Sequence, residues 1–316
     1  MNEVSRRDIV RTLGAAGALA AFSPSNLFAA KSDSKPMQLY KSMSDEQREK
    51  VCLPLNHERR QFVSNWWYIH KDHRIHNTFN AEQQEFIQQI FDSMHNPDYA
   101  AAINKQVKKD QYGKEKNTPA IGFFGTPKDK DFEFLYTGHH VTRRCNAHTD
   151  KGLGFGGAPV FYGHFDEKFN ETKEHIGNPY WYQGKIFNEF IQALDGKQQA
   201  KALAGNQPRK ERGNIIAKKQ SGWDGLACAD LSADQKKQLL QTMRRMLEMF
   251  RQDDVDATLK TIEKSGMIDR LHVACYDGKF DLGNDQEWDT WQIEGPEMVW
   301  YFRGHPHIHT YFHVKA

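Results

Sequence analysis

The sequence predicts an α+β fold: antiparallel sheet packed with several amphipathic helices, in a single large domain. Apolar residues recur at helical spacing in some stretches and form strand-like runs in others, and the two kinds fall in separate batches rather than strict alternation. Three Ser- or Asn-led boxes with Gln at the fourth position mark helix starts. The strand-like runs of each batch are joined by short connections, which favours antiparallel pairing.

In chain order, Ser44-Asp45-Glu46-Gln47 opens a short helix. Trp66-Trp67-Tyr68-Ile69-His70 reads as an aromatic, strand-like run, with His73 and His76 in a solvated loop behind it. Asn80-Ala81-Glu82-Gln83 precedes Phe86, Ile87, Ile90, Phe91 and Met94, one apolar stripe of a helix. The first strand batch covers about 120–124, 131–144 and 159–163. Ile186, Phe187, Phe190, Ile191 and Leu194 mark a further helix. Ser232-Ala233-Asp234-Gln235 starts the clearest one, lined by Leu239, Leu240, Met243, Met246, Leu247 and Phe250. Val255, Leu259 and Ile262 mark the next, which Gly266 ends. The second strand batch covers about 271–276, 287–294, 297–303 and 307–313, with Asp277-Gly278 and Gly295-Pro296 as turn chemistry. No repeat or low-complexity tract interrupts this, so 41–316 is expected to be one domain behind a polar linker at 31–40.

Residues 1–30 read as an export signal. A charged start containing Arg6-Arg7 is followed by the Ala/Gly/Leu stretch 12–22 and by small residues at Ala29-Ala30. The adjacent arginines resemble a twin-arginine signal, which makes the export machinery a partner and the periplasm or the exterior the destination. The apolar run is far short of the roughly 18 residues of a membrane span. Lys and Arg number 43 against 41 Asp and Glu, a net charge of +2, so no field draws the chain to nucleic acid or an anionic membrane. The basic runs 105–116 and 209–219 are interrupted by polar residues and Gly and read as solvated loops. Cys52, Cys145, Cys228 and Cys275 contain no C-x-x-C pair; disulfides and buried free thiols are both open.

The histidines carry the chemistry. His305, His307, His309 and His313 all stand at odd positions near the C-terminus, so an extended strand would present them on one face together with Tyr311. Ile308, Thr310, Phe312 and Val314 would face the core. Imidazole is largely uncharged at neutral pH and offers a nitrogen lone pair, so converging histidines suit a transition metal. A second group, His139-His140, follows Gly138 in the first strand batch. In a regular strand the two would point to opposite faces, and the glycine permits a bulge that re-aims one. Cys145 and His148 are expected to be structural, as are His70, His73 and His76. Gly152-Leu153-Gly154-Phe155-Gly156-Gly157 satisfies G-x-G-x-x-G, but Pro159-Val160-Phe161-Tyr162 follows where a helix would have to hold a pyrophosphate. G-x-S-x-G, H-E-x-x-H and P-loop motifs are missing from the sequence.

Trp67, Gln83 or Gln84, Gly138-His139-His140-Val141, Gly295-Pro296 and His307-Ile308-His309-Thr310 occur in the order in which they occur in the bacterial and fungal family called domain of unknown function 3500. From about Lys41 to the end the chain resembles that family. The resemblance implies no activity, but it ranks His139, His140, His307 and His309 above the other histidines. The chain departs after Thr310, where Tyr311-Phe312-His313-Val314 replaces the family's aromatic residue and Arg-Asp pair.

The expected function is that of an exported metalloenzyme acting on a small-molecule substrate. His307 and His309 would be ligands from one strand and His139 or His140 a third, with His305, His313 or Cys145 completing or supporting the shell. Copper, zinc and iron all suit imidazoles; with no ligating carboxylate in view, copper and oxidoreductase chemistry come slightly ahead of zinc and hydrolysis. Tyr311 is the candidate redox or proton-transfer partner and His140 the candidate acid/base. Two other readings stand beside this: metal-free proton exchange between His140 and His309, and a non-catalytic protein binding metal, a sugar or a peptide.

Overall fold

The computed structural model describes residues 33–151, 158–164, 179–205, 215–217, 221–277 and 288–315. The export signal expected at 1–30, the glycine loop 152–157 and most of the basic run 209–219 lie outside them. Among the described residues ten strands form one sheet: β1 (Cys52–Leu53), β2 (Ala120–Phe124), β3 (Glu133–Gly138), β4 (Val141–Asn146), β5 (Val160–Gly163), β6 (Leu226–Ala227), β7 (His272–Cys275), β8 (Thr290–Glu294), β9 (Met298–Arg303) and β10 (His309–Val314). Their spatial order is β1-β2-β3-β4-β5-β10-β9-β8-β7-β6, antiparallel throughout except between β1 and β2. Each strand batch is thus a meander. The last strand of the chain lies beside β5 and joins the two halves, with His309 opposite Gly163 and Thr310 opposite Tyr162.

Among the described residues the helices are α1 (Lys35–Ser42), α2 (Asp45–Val51), α3 (Ile75–Thr78), α4 (Ala81–Ser93), α5 (Pro97–Lys109), α6 (Tyr182–Gln192), α7 (Gly196–Ala202), α8 (Ala233–Met246) and α9 (Gln252–Lys264). The class is α+β, in one domain. The three capping boxes are formed at α2, α4 and α8: Ser44, Asn80 and Ser232 each accept from the backbone three residues on, and the Gln there reaches back. Gly266 follows α9 at φ +64°, the left-handed conformation that terminates helices. The stretch expected as linker, 31–40, becomes helical at Lys35, where α1 is capped by Ser34 and buries Pro36, Met37 and Leu39. No helix of the described residues is long and apolar enough to cross a membrane.

Two expected strands take other forms. The run 131–144 is split into β3 and β4 by a tight turn, with Gly138 paired to Val141 and only His139 and His140 between them. The aromatic run at 66–70 is not a strand. Trp66 makes an isolated bridge to His139, the Ile69 N–H donates to Thr137 Oγ1 at 3.0 Å, and Trp67 Nε1 donates to Thr142 Oγ1 at 2.8 Å. The segment therefore lies across the β3–β4 hairpin, held by side chains rather than by a ladder.

The helices cover one face of the sheet and form the main core, to which Ile308, Phe312 and Val314 contribute as the alternation predicted. The other face is also buried. Near β10, Tyr311 packs with Val63, Phe161, Val299, Tyr301 and 215–217, and near β2, Trp67 and Ile69 pack with Phe124 and Leu135. With both faces covered, the central strands read as continuous apolar runs such as Met298–Phe302 rather than as alternation.

Gly163 marks the tightest point of the join. A Cβ there would sit 2.4 Å from the Ile308 carbonyl oxygen, a contact only backbone movement can relieve. Gly163→Ala is expected to cost about 2–3 kcal/mol, against about 1 kcal/mol for removing the α8 cap with Ser232→Ala. Urea unfolding of both variants checks this, and equal losses would show that the join is soft.

Candidate metal centre

The join brings the two histidine groups together. His309 opens β10, His307 stands two residues earlier in the preceding loop, and His140 ends the β3–β4 turn. His140 has φ +55°, a region that side-chain-bearing residues rarely occupy. Its backbone is held there on both sides: its N–H donates to the Asn65 carbonyl at 2.8 Å, and its carbonyl accepts from the Gly163 N–H at 3.1 Å. The turn thus aims the His140 ring across β5 toward β10. His140 Nε2 lies 3.0 Å from His309 Nε2, and His307 Nε2 lies 2.8 Å from His309 Nε2. Donor atoms of all three residues lie within 4.8 Å of one another, so the group could hold a metal ion.

The remaining nitrogen of His140 has a carboxylate partner. Its Nδ1 lies 3.0 Å from Asp110 Oδ2, with both side chains almost fully enclosed. Nδ1–H donating to the carboxylate leaves Nε2 with its lone pair toward His307 and His309, the arrangement in which carboxylates orient metal-bound histidines. His139 also turns toward this point: its Nδ1 lies 3.1 Å from the Asp110 carbonyl oxygen. Asp110, His139 and His140 form a second group able to hold a cation. The His139 ring stacks on His140 at 4.0 Å between centroids and under Trp66 at 4.3 Å.

Charge and burial keep these imidazoles neutral. Burial pushes His307 and His140 down to about 3, helped by the nearby Arg303 guanidinium. It pushes His139 down to about 4, and His309 lies well below the ordinary range for the same reason, with Arg303 next in weight. Arg303 faces His309 across the β9–β10 ladder and donates from Nη2 to the His307 carbonyl at 3.3 Å. Asp110 acts in the opposite sense on His139, partly offsetting the effect of burial there.

The other residues singled out in the sequence are placed as follows. His305 is half-buried in the loop before β10, outside the converging group. His313 lies four residues beyond His309, and its Nδ1 accepts from the Ala217 N–H at 3.0 Å. Tyr311 is buried and packs edge-on against Phe161 at 4.7 Å; the same Phe161 touches His309 at 5.5 Å. His148 contacts the Asp129 carbonyl at 3.0 Å, and His70 the Val51 carbonyl at 3.4 Å. Cys145 is part of the helix-side core, where burial pushes its thiol up. None of the four cysteines is in a disulfide.

Four participants escaped the sequence reading: Asp110, Arg303, His164 and Trp66. Asp110 sits in the basic run 105–116, read as a solvated loop. Most of that run's first half is α5, and Asp110 caps its C-terminus. The signal was a buried stripe at helical spacing, Ile103, Gln106, Val107 and Asp110, half of it polar and so invisible to a search for apolar periodicity. His164 follows Gly163 as His139 follows Gly138; it is buried and near enough to His140 and His307 to help hold both neutral.

The sequence model of the family described as Protein of unknown function (DUF3500) matches residues 29–315. The chain belongs to this family. No curated protein and no solved structure matches it. Membership covers the whole described fold, so both halves of the histidine site lie inside the family's matched region.

The buried imidazoles make the metal-free protein acid-sensitive. His95, His139, His140, His307 and His309 all have folded-state pKa values below the unfolded value of about 6.5. Well above that pH both states are neutral and stability is level. Below it the unfolded chain takes up protons that the folded chain refuses until the pH reaches the folded values, so stability falls. Each such group contributes up to about 1.4 kcal/mol per pH unit. Urea unfolding of chelator-treated protein at pH 7.5, 6.5 and 5.5 is expected to show a loss over the first step and one about three times larger over the second. A flat profile would mean that these rings are protonated in the folded state.

Proposed function

We propose that this protein is an exported metalloenzyme in which His140, His307 and His309 hold one transition-metal ion and Asp110 orients His140. The observation that carries the reading is the pair of Nε2–Nε2 separations, 3.0 and 2.8 Å, shared by His309. One imidazole N–H cannot make two linear hydrogen bonds of that length, whereas two nitrogens each about 2.0–2.1 Å from a common ion fit these separations. The neutral state of the rings and the tautomer set by Asp110 point the same way.

A three-imidazole set binds copper most tightly among the divalent first-row metals, with zinc and nickel behind it. Copper, already favoured at the sequence level, therefore stays first, although the absence of a carboxylate no longer argues for it. Copper or iron bound there would supply one-electron oxidation chemistry to a small molecule; zinc would supply a bound water of lowered pKa. The protein residues have separable tasks in either case. Asp110 holds the Nδ1 proton of His140, Arg303 disfavours protonation of His307 and His309, and His139 with Trp66 covers the His140 ring from solvent. Tyr311 enters as packing that holds Phe161 against His309. The start of the chain, with Arg6-Arg7 ahead of an apolar stretch, supports export to the periplasm or beyond.

A second reading has its own observation. The Asp110–His140 pair has the geometry of an acid/base dyad, a carboxylate orienting an imidazole whose other nitrogen faces the site. Metal analysis separates the two. Untagged mature protein grown with copper, zinc and iron is expected to carry close to one equivalent of one of them. His307→Ala/His309→Ala is expected to lose it while remaining folded, and Asp110→Asn to weaken metal affinity about 10–100-fold. Metal-free, folded wild-type protein would leave the dyad as the working reading.

A further inference from the structure

Next to the metal centre, on the outer side of Trp66, the segment 58–71 forms a cleft of about 630 Å³, within the size range of small-molecule sites. Its floor is aromatic: Phe62, Trp66 and Tyr68 line it. Trp66 Nε1 donates to Tyr68 Oη at 3.1 Å, and the Arg74 guanidinium lies over the Tyr68 ring, 3.2 Å from its centroid, so the two rings are held in place while Trp66 remains 52% exposed. Trp66, Tyr112 and Leu203 are the large apolar side chains exposed among the described residues, and the first two both pack on His139.

The rim carries both signs. Glu58, Arg59 and Lys71 line the cleft and are exposed. Arg59 spends Nη1 on the Ile69 carbonyl at 2.7 Å, which fixes the guanidinium and leaves its other N–H groups for a ligand. A ligand matched to this cleft needs an apolar ring face for Trp66 and both donors and acceptors around its edge. Sugars have that combination: C–H faces for aromatic stacking and hydroxyls that donate to a carboxylate and accept from cations. An aromatic acid would offer the rim acceptors only and leave Glu58 opposed.

We propose that this cleft is a carbohydrate-binding subsite, with Trp66 as its stacking platform and Glu58, Arg59 and Lys71 as hydroxyl partners. The proposal names the substrate class of the metal centre and rests on that reading for the reaction, but not for the binding. Trp66 belongs to both places, since the ring that lines the cleft also stacks on His139, which stacks on His140.

The test is calorimetric and tryptophan-fluorescence titration of the mature protein with short glucose, xylose, mannose and galactose oligomers, with benzoate and 4-hydroxybenzoate as ring-bearing controls. At least one oligosaccharide is expected to bind saturably. Trp66→Ala should weaken it about five- to tenfold, the scale of a lost stacking face; Trp66→Phe should keep most of it. Glu58→Gln/Arg59→Gln, exposed and away from the core, gives a second reading if Trp66→Ala fails to fold, and should weaken binding similarly. Saturation by no oligosaccharide, by the benzoates alone, or equally in wild type and variants overturns the proposal. Sugar binding that survives in metal-free His307→Ala/His309→Ala would support the subsite independently of the metal, so the two readings fail separately.

Discussion

The pairing of β5 with β10 is the constraint on which the site depends. These strands come from the two meanders of the sheet, and their contact is the place where residues some 150 positions apart in sequence become neighbours. Gly163 makes the approach close enough, because any side chain there would strike the Ile308 carbonyl. Its N–H in turn holds the His140 carbonyl, so the same residue that lets β10 in also anchors the turn that aims His140 at His309. Two of the three histidines come from elements pinned to neighbouring strands, His309 from a strand start and His140 from a tight turn, which is how precise geometry is kept. His307 comes from the loop two residues ahead of that strand.

Around this join the protein balances charges that burial makes costly. An isolated buried charge would be strongly disfavoured, yet Asp110 and Arg303 are both enclosed beside the histidines. Each has a specific task that its position explains. Asp110 touches Nδ1 of His140 and selects the tautomer; Arg303 lies across the ladder from His309 and raises the cost of protonating the rings next to it. Opposed charges on opposite sides of a neutral imidazole group leave lone pairs directed inward. That is the state a cation requires, and the state in which proton competition for the nitrogens is weakest.

The side facing solvent has a different character. His139 does not extend the trio directly but lies between His140 and Trp66, so one continuous stack of rings runs from the buried His140 to an exposed indole. The aromatic segment that supplies Trp66 is tied to the hairpin by Trp67 and Ile69, and it brings a cleft with it. The cleft therefore follows from the laying of 65–70 across the β3–β4 turn, the same segment whose Asn65 carbonyl holds the His140 N–H.

Much of this was legible before any coordinates. The three capping boxes, the apolar stripes of α4, α6, α8 and α9, and the two batches of strands are local patterns, governed by backbone hydrogen bonding and side-chain period, and they appear where their residues predict. Spacing and lone-pair chemistry singled out two histidine groups, His139 with His140 and His305 to His313, and the family resemblance ranked His139, His140, His307 and His309 above the rest. What the sequence could not express was adjacency. Whether His139 and His140 sat on a strand or in a turn depended on Gly138 pairing with Val141 rather than continuing, a choice made by the sheet. Asp110 was hidden because a buried carboxylate in a run of lysines looks like solvated surface until the helix bearing it is docked. The separation of His305 and His313 from the converging trio likewise followed from where β10 begins and from what covers its far end. The sequence by itself determined most of the helices and strands and supplied the histidines that could hold a metal; the tertiary structure decided which of them meet and added Asp110, since the β5–β10 join is what brings His140 Nε2 to 3.0 Å from His309 Nε2.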